Sequence, residues 1–289
     1  MLDQLDPKLF ALVTAISFGF NPILLKIGYG RGGTPDVSLM VGLIVAVPIY
    51  LLLLPLAGGL HLDQVAPVTF FAFIMGGLFG SGIGRRWQYI AVDRIGASAA
   101  VTIKNSAPVF SAVLAAILFA EPVSLLQWAA ILAIVVGVAL VTWKPGKPLR
   151  SWFDAGVLAA IAAAVAYGIR PLFLKFGLEA ADLPLTAATI GAIAALSYAL
   201  LLGDRTGLRT IYRDSAFPLF VTAGILQAIG FLALNQGLSG GDVSVVYPVT
   251  SSTPLFTIAL AAIFLRSMER ITWRIIVGAV AVVLGVIAL

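Results

Sequence analysis

One eleven-residue phrase occurs twice in this chain, half a length apart. Phe18-Gly-Phe-Asn-Pro-Ile-Leu-Leu-Lys-Ile-Gly28 returns as Tyr167-Gly-Ile-Arg-Pro-Leu-Phe-Leu-Lys-Phe-Gly177. Gly19, Pro22, Leu25, Lys26 and Gly28 match Gly168, Pro171, Leu174, Lys175 and Gly177 without a gap. A tandem duplication restricts the fold to two copies of one unit. Both copies lie in very apolar sequence. Internally repeated membrane bundles place their site at the repeat interface, near the bilayer midplane.

Composition makes lipid the solvent. Hydrophobic residues are 61% of the chain and charged ones 11%, against roughly 25% charged in soluble domains. Ten apolar runs have the length of a spanning helix, about 20 residues: 8–29, 36–56, 66–90, 97–119, 124–142, 153–178, 184–202, 216–237, 242–265 and 271–289. These runs are continuously apolar, whereas barrel strands alternate in polarity. The N-terminus lacks a signal-peptide cleavage pattern, so the first run is expected to stay as a helix.

The duplication extends past the opening phrase. Ala97-Ser98 through Ser106 and Pro108 parallels Val243-Ser244 through Ser252 and Pro254, and Glu121 with Ser124 parallels Glu269 with Thr272. Residues 1–143 and 153–289 thus form two five-helix units joined by 144–152. Five is odd, so the second unit enters the membrane from the opposite side. The expected fold is an all-α integral membrane protein: ten transmembrane helices as two inverted repeats around a central cavity. Ser124 and Thr272 are expected to cap the fifth and tenth helices, Gln127 completing a capping box.

Lys and Arg fall almost entirely on one side. Arg31, Arg94, Lys144, Lys147, Arg150, Arg205, Arg209, Arg213, Arg266, Arg270 and Arg274 lie in loops of one side, and only Lys8 on the other. The positive-inside rule then places both termini outside. The net charge of +5 is scattered or confined to short loops, which is no nucleic-acid footprint.

Two halves of five helices, each with Gly-x-x-Pro-x-x-x-Lys in its first helix, Ser and Pro in its fourth and Glu before its fifth, resemble the EamA family of the drug/metabolite transporter superfamily. The resemblance covers nearly the whole chain. It implies transport of amino acids, other metabolites, nucleotide sugars or toxic compounds, with export common among bacterial members. It also implies a central cavity lined by helices 1, 3, 4, 6, 8 and 9, with 5 and 10 peripheral.

Ionisable groups inside membrane helices are costly and usually face a cavity. Lys104 and Arg170 are the deepest, roughly 10–12 Å from the nearest helix end at 1.5 Å per residue, and are expected to line it. Lys26, Lys175, Arg85 and Arg86 lie nearer to helix ends and read as gating or snorkelling cations. Neutral polar residues form pairs between the copies: Asn21 with Arg170, Tyr89 with Asn235, and Asn105 with Ser251. They serve either substrate or interhelical hydrogen bonds. Trp87, Tyr89, Tyr167 and Tyr247 are candidate aromatic walls or lipid-facing rings. The glycine run Gly76–Gly84 reads as close helix packing, since it lacks the strand and Gly-Lys-Ser/Thr ending of a phosphate loop.

No Asp or Glu falls in the middle of a predicted helix, and His61 sits in a loop. The cavity is therefore expected to be electropositive and suited to a carboxylate or phosphate. The acidic proton relay common in pumps is missing, which favours facilitated diffusion or exchange over proton antiport. With no Cys, no deep carboxylate and no metal-ligand cluster, the residues offer neither a catalytic set nor a cofactor site. The reading is a multi-pass transporter of the bacterial inner membrane. It moves an amino acid or organic anion by alternating access as exporter or exchanger, its partners being that substrate and the bilayer. Efflux of neutral or cationic toxic compounds is the first alternative, and an integral membrane enzyme or a channel stands behind it.

Overall fold

Lipid offers no hydrogen bonds to backbone groups, so continuously apolar runs must close their bonds internally as helices. The computed structural model describes residues 7–119, 124–144, 146, 152–240 and 249–289, and these are all-α, with no strand among them. The first half holds α1 (Pro7–Gly30), α2 (Pro35–Leu53), α3 (Pro67–Ile95), α4a (Ala97–Lys104), α4b (Ala107–Phe119) and α5 (Leu125–Thr142). The second holds α6 (Ala155–Ala180), α7 (Pro184–Leu202), α8 (Phe217–Gly240), α9 (Val249–Phe264) and α10 (Trp273–Ala288). Among the described residues, seven helices are long and apolar enough to cross a membrane, and α9 and α10 are shorter apolar helices.

Proline and glycine set the irregularities. Pro22 and Pro171 lie inside α1 and α6 and leave the carbonyls of Phe18 and Tyr167 without a helical donor. The expected fourth helix is broken instead of continuous: it turns at Asn105-Ser106, where Pro108 cannot donate to the Lys104 carbonyl. The glycine run in α3 is wound as a π-turn over Leu78–Gly84. Such turns rotate the residues that follow onto a new face.

The halves interlock. α1 packs along α8 as α6 packs along α3, and α1 meets α9 as α6 meets α4b. The second pair of contacts matches residue by residue: Gly19 lies against Phe256 and Thr257, Gly168 against Phe110 and Ser111. Counterpart helices run antiparallel where they touch. Ala97 at the start of α4a meets Glu269 beyond α9, whereas Asn105 at its end reaches Ser251. In α5 and α10, Gly137 abuts Gly278 and Ala130 abuts Gly285.

Caps fix the helix ends. Ser124 and Gln127 form the expected capping box at α5. Thr272 occupies the N-cap position of α10 but its side chain makes no cap bond. Asp154 caps α6 through the amides of Gly156 and Val157, at 3.0 Å each.

Candidate functional site

Three cations converge in the interior on two aromatic rings. The Arg170 guanidinium of α6 lies 4.8 Å from the centre of the Phe231 ring, and that of Arg85 lies 5.7 Å from the same centre. The Lys104 ammonium stands 5.3 Å from the centre of the Tyr167 ring. Tyr167 donates to Gln88 Oε1 at 2.9 Å and lies within reach of Arg85. Arg85 donates to Ser81 Oγ at 3.2 Å, while its Nε is buried with no partner. Phe18 packs edge-on against Phe231 at 5.3 Å.

Local backbone explains the convergence. The π-turn delivers Arg85 inward. Gly80 gives Arg170 its space, since a Cβ there would stand 2.4 Å from Arg170 Cδ. Arg170, Ser81 and Phe231 form the inner end of a cleft between α3, α6 and α7, which also has Phe73, Leu174, Leu178, Pro184 and Ala187 in its wall. The free space is about 40 Å³, against the roughly 10–15 Å³ needed to hold one water. The cleft is lined by α3, α6 and α7 together with Phe231 of α8.

Several sequence candidates are structural ties. Asn21 is buried, donates to the Ala223 carbonyl at 2.8 Å and lies within reach of Tyr89. Asn105 Nδ2 donates to the Ser251 carbonyl at 3.2 Å, bridging α4a and α9. Lys26 donates to the Asp93 carbonyl near the C-terminus of α3, where a cation suits the helix dipole. Arg86 pairs with Asp36 through two bonds of 2.7 and 3.0 Å, so it ties α3 to α2.

Two expectations need correction. Arg85 does not snorkel: it is 4% exposed and points at Phe231. Counting residues from the helix end missed the rotation that the π-turn imposes. Trp87 is not a buried wall: it is 40% exposed on the face away from Arg85 and Tyr89. The side chains of Lys175 and Asn235, and all of Glu121 and Tyr247, lie outside the described residues.

Sequence reasoning missed Phe231, Ser81 and the clamp made by Glu269. The Glu269 carboxylate accepts from the amides of Ala97 at 3.0 Å and Ser98 at 2.9 Å, closing the N-terminus of α4a. The recurrence of Glu121 and Glu269 was the available signal. A lone Phe in an apolar helix gave none.

Residues 8–143 and 154–289 each match the model of the EamA-like transporter family. An uncharacterized protein of Methanocaldococcus jannaschii is 27% identical over 136 residues, which is 47% of this chain and 96% of that protein. Its match is thus one repeat long. A crystal structure of a protein 18% identical to this chain superposes with a TM-score of 0.61 over 95% of each chain. That likeness concerns the fold alone.

Proposed function

Because this chain belongs to the EamA-like transporter family and is a multi-pass integral membrane protein, we propose that it carries an amino acid or organic anion by alternating access. The single observation that carries this reading is the convergence of Arg85, Lys104 and Arg170 beside a cleft. The ion pairs of Arg86 with Asp36 and of Lys144 with Asp154 do not involve Arg85 or Lys104. An electropositive interior attracts anions and disfavours cationic toxic compounds.

The proposed architecture is ten spans in two inverted five-helix repeats, residues 1–143 and 153–289, with the site between them. The antiparallel contacts of α4a with α9 and of α5 with α10 support inversion. The Lys/Arg bias supports termini on the outer side of a bacterial inner membrane. Export or exchange without a proton relay fits the absence, among the described residues, of an acidic chain through the cluster.

Counterflow in proteoliposomes tests the proposal. Purified protein is loaded in turn with unlabelled amino acids, organic acids or a lipophilic cation, and uptake of the labelled counterpart is measured. Accumulation of an amino acid or organic acid is the expected result. Uptake of the cation alone would favour toxic-compound efflux, and no counterflow of any class would sink the transporter reading for this site.

A further inference from the structure

We infer that Arg274, at the junction of α5 and α10, binds the phosphate of an anionic lipid headgroup. The inference goes beyond the transport reading and needs only that the helices lie in a membrane. The orientation proposed above puts the site in the cytoplasmic leaflet.

α5 and α10 pack antiparallel through Gly137 and Gly278, which brings Trp143, just past α5, to the start of α10. There the Arg274 guanidinium lies 4.9 Å from the centre of the Trp143 ring and 5.5 Å from that of Trp273. Trp152 adds a third ring, 6.2 Å from Trp143. Trp143 and Trp273 are exposed, as tryptophans at a membrane–water interface are. The rings hold the guanidinium but supply no counter-charge. Among the described residues Arg274 makes no hydrogen bond or ion pair, and its Nε is buried without a partner. Asp154, an acid of the same end, is already held by Lys144 and by the Gly156 and Val157 amides.

Phosphate oxygens fit a guanidinium fork in pairs, and basic sites between helices at the cytoplasmic face suit anionic headgroups. The start of α10 favours the same charge, because Thr272 makes no cap bond with its first amides. The apolar surface beside it commits the site to a lipid. Ile276, Val277 and Val280 are exposed and follow Trp273 at intervals of three, four and seven residues, so one stripe of α10 runs from the cation into the bilayer. Acyl chains of the bound molecule would lie along it. The repeat supplies the contrast. At the start of α5 the matching positions are Leu125 and Leu126, both exposed, and Ser124 with Gln127 closes the helix by a capping box. That end meets lipid with apolar side chains; the start of α10 meets it with a cation set against two rings.

Thermal shift of the full chain in neutral detergent tests the site, with phosphatidylglycerol, phosphatidylcholine and inorganic phosphate as the titrants. Phosphatidylglycerol should stabilise the protein at about a tenth of the phosphatidylcholine concentration, the effect of one charge-assisted contact. Inorganic phosphate should give no comparable shift. Arg274→Gln should erase the preference, and Arg274→Lys, which keeps the charge and loses the fork, should weaken it. Arg209→Gln, which removes an exposed cation assigned to the same side, should leave it intact. If Arg274→Gln does not fold, the weakening in Arg274→Lys carries the test. Equal stabilisation by the two lipids, an inorganic phosphate effect as large as that of phosphatidylglycerol, a preference that survives Arg274→Gln, or an equal loss in Arg209→Gln would overturn the inference. The measurement reads binding of lipid alone, so its failure leaves the transport reading standing.

Discussion

The α1/α2/α8 corner and its repeat counterpart, α6/α7/α3, have related sequences and share a Phe-on-Gly contact, Phe220 on Gly28 and Phe73 on Gly177, but differ in what surrounds it. In the first, Asn21, Leu25, Tyr29 and Ser38 are all buried, and Phe220 fills the space beside Gly28. Their counterparts Arg170, Leu174, Leu178 and Ala187 line the cleft. Both corners keep the same tight core, Gly42 on Gly224 in one and Gly77 on Gly191 in the other. The difference is therefore not in how closely the backbones approach.

It lies in the polar ties. Tyr29 and Ser38 share a hydrogen bond of 2.9 Å, Asn21 holds the Ala223 carbonyl, and Asp36 accepts from Arg86 and from the Asp204 amide. The matching Leu178 and Ala187 cannot make such bonds, and Asp36 falls opposite Leu185 in the repeat. Arg170 replaces the small amide of Asn21 with a long cation that turns toward the cluster. One end of the molecule is latched by these ties; at the other the matching positions are apolar, and Thr186 donates to the Leu60 carbonyl at 3.0 Å. In the proposed alternating-access cycle the two corners open in turn, and the latched corner is the one expected to be closed in this conformation.

The largest expected effect comes from erasing the charge that distinguishes the open corner. Arg170→Met or Lys104→Met should weaken binding of an anionic ligand by about one to two decades, since a charge-assisted hydrogen bond contributes roughly 1.5–3 kcal/mol. Circular dichroism should show helicity retained, because losing an intramembrane charge relieves desolvation. Anion affinities equal to the parent's in both variants would remove the cluster from the site.

Next in size is a direct comparison of the corners by thiol labelling, with no background because the chain has no cysteine. Leu178→Cys should react with a membrane-impermeant maleimide at least about tenfold faster than Tyr29→Cys, as a buried site labels only through local opening. Equal rates would erase the contrast between the corners.

A third experiment loosens the latch. Asp36→Asn removes an acceptor shared by Arg86 and the Asp204 amide. With roughly 1.5–3 kcal/mol at stake in a charged hydrogen bond, labelling of Tyr29→Cys should rise by about ten- to a hundredfold. The swap Asp36→Arg with Arg86→Asp should restore slow labelling. If Asp36→Asn leaves the rate unchanged, apolar packing around Phe220 alone holds this corner closed.

Sequence showed the scaffold of this contrast better than its chemistry. Apolar run length located the helices, and the repeated phrase paired Asn21 with Arg170. Lys104 was recognisable because a cation seven residues inside an apolar run stands out. The snorkelling half of the Arg85 reading fails because linear counting assumes uniform winding, and the π-turn breaks it. The Glu269 clamp and the Asp36 latch join residues far apart in the chain, and no local pattern encodes such a pairing. Phe231 carries no charge and sits in a helix of similar residues, so its role emerges only when Arg85 and Arg170 are seen around it.

The smallest expected effect serves as a control, because Asp154 stabilises α6 without belonging to either corner. Burial by itself would raise the Asp154 carboxyl. The Lys144 ammonium and the Val157 and Gly156 amides outweigh that and hold it below the usual carboxylate range. Asp154→Ala should cost about 1 kcal/mol through the lost N-cap. The half-exposed pair with Lys144 adds little. The melting temperature in detergent should fall by about 2 °C at neutral pH. A carboxyl lowered by folding contributes stability above its unfolded value, about 3.9, and loses it as pH falls through the folded value. The gap between parent and variant should therefore shrink in acid. Labelling of Tyr29→Cys and Leu178→Cys should keep its ratio in the Asp154→Ala background. A changed ratio would mean that general loosening of the bundle opens the corners, and the effect of Asp36→Asn could no longer be assigned to the latch.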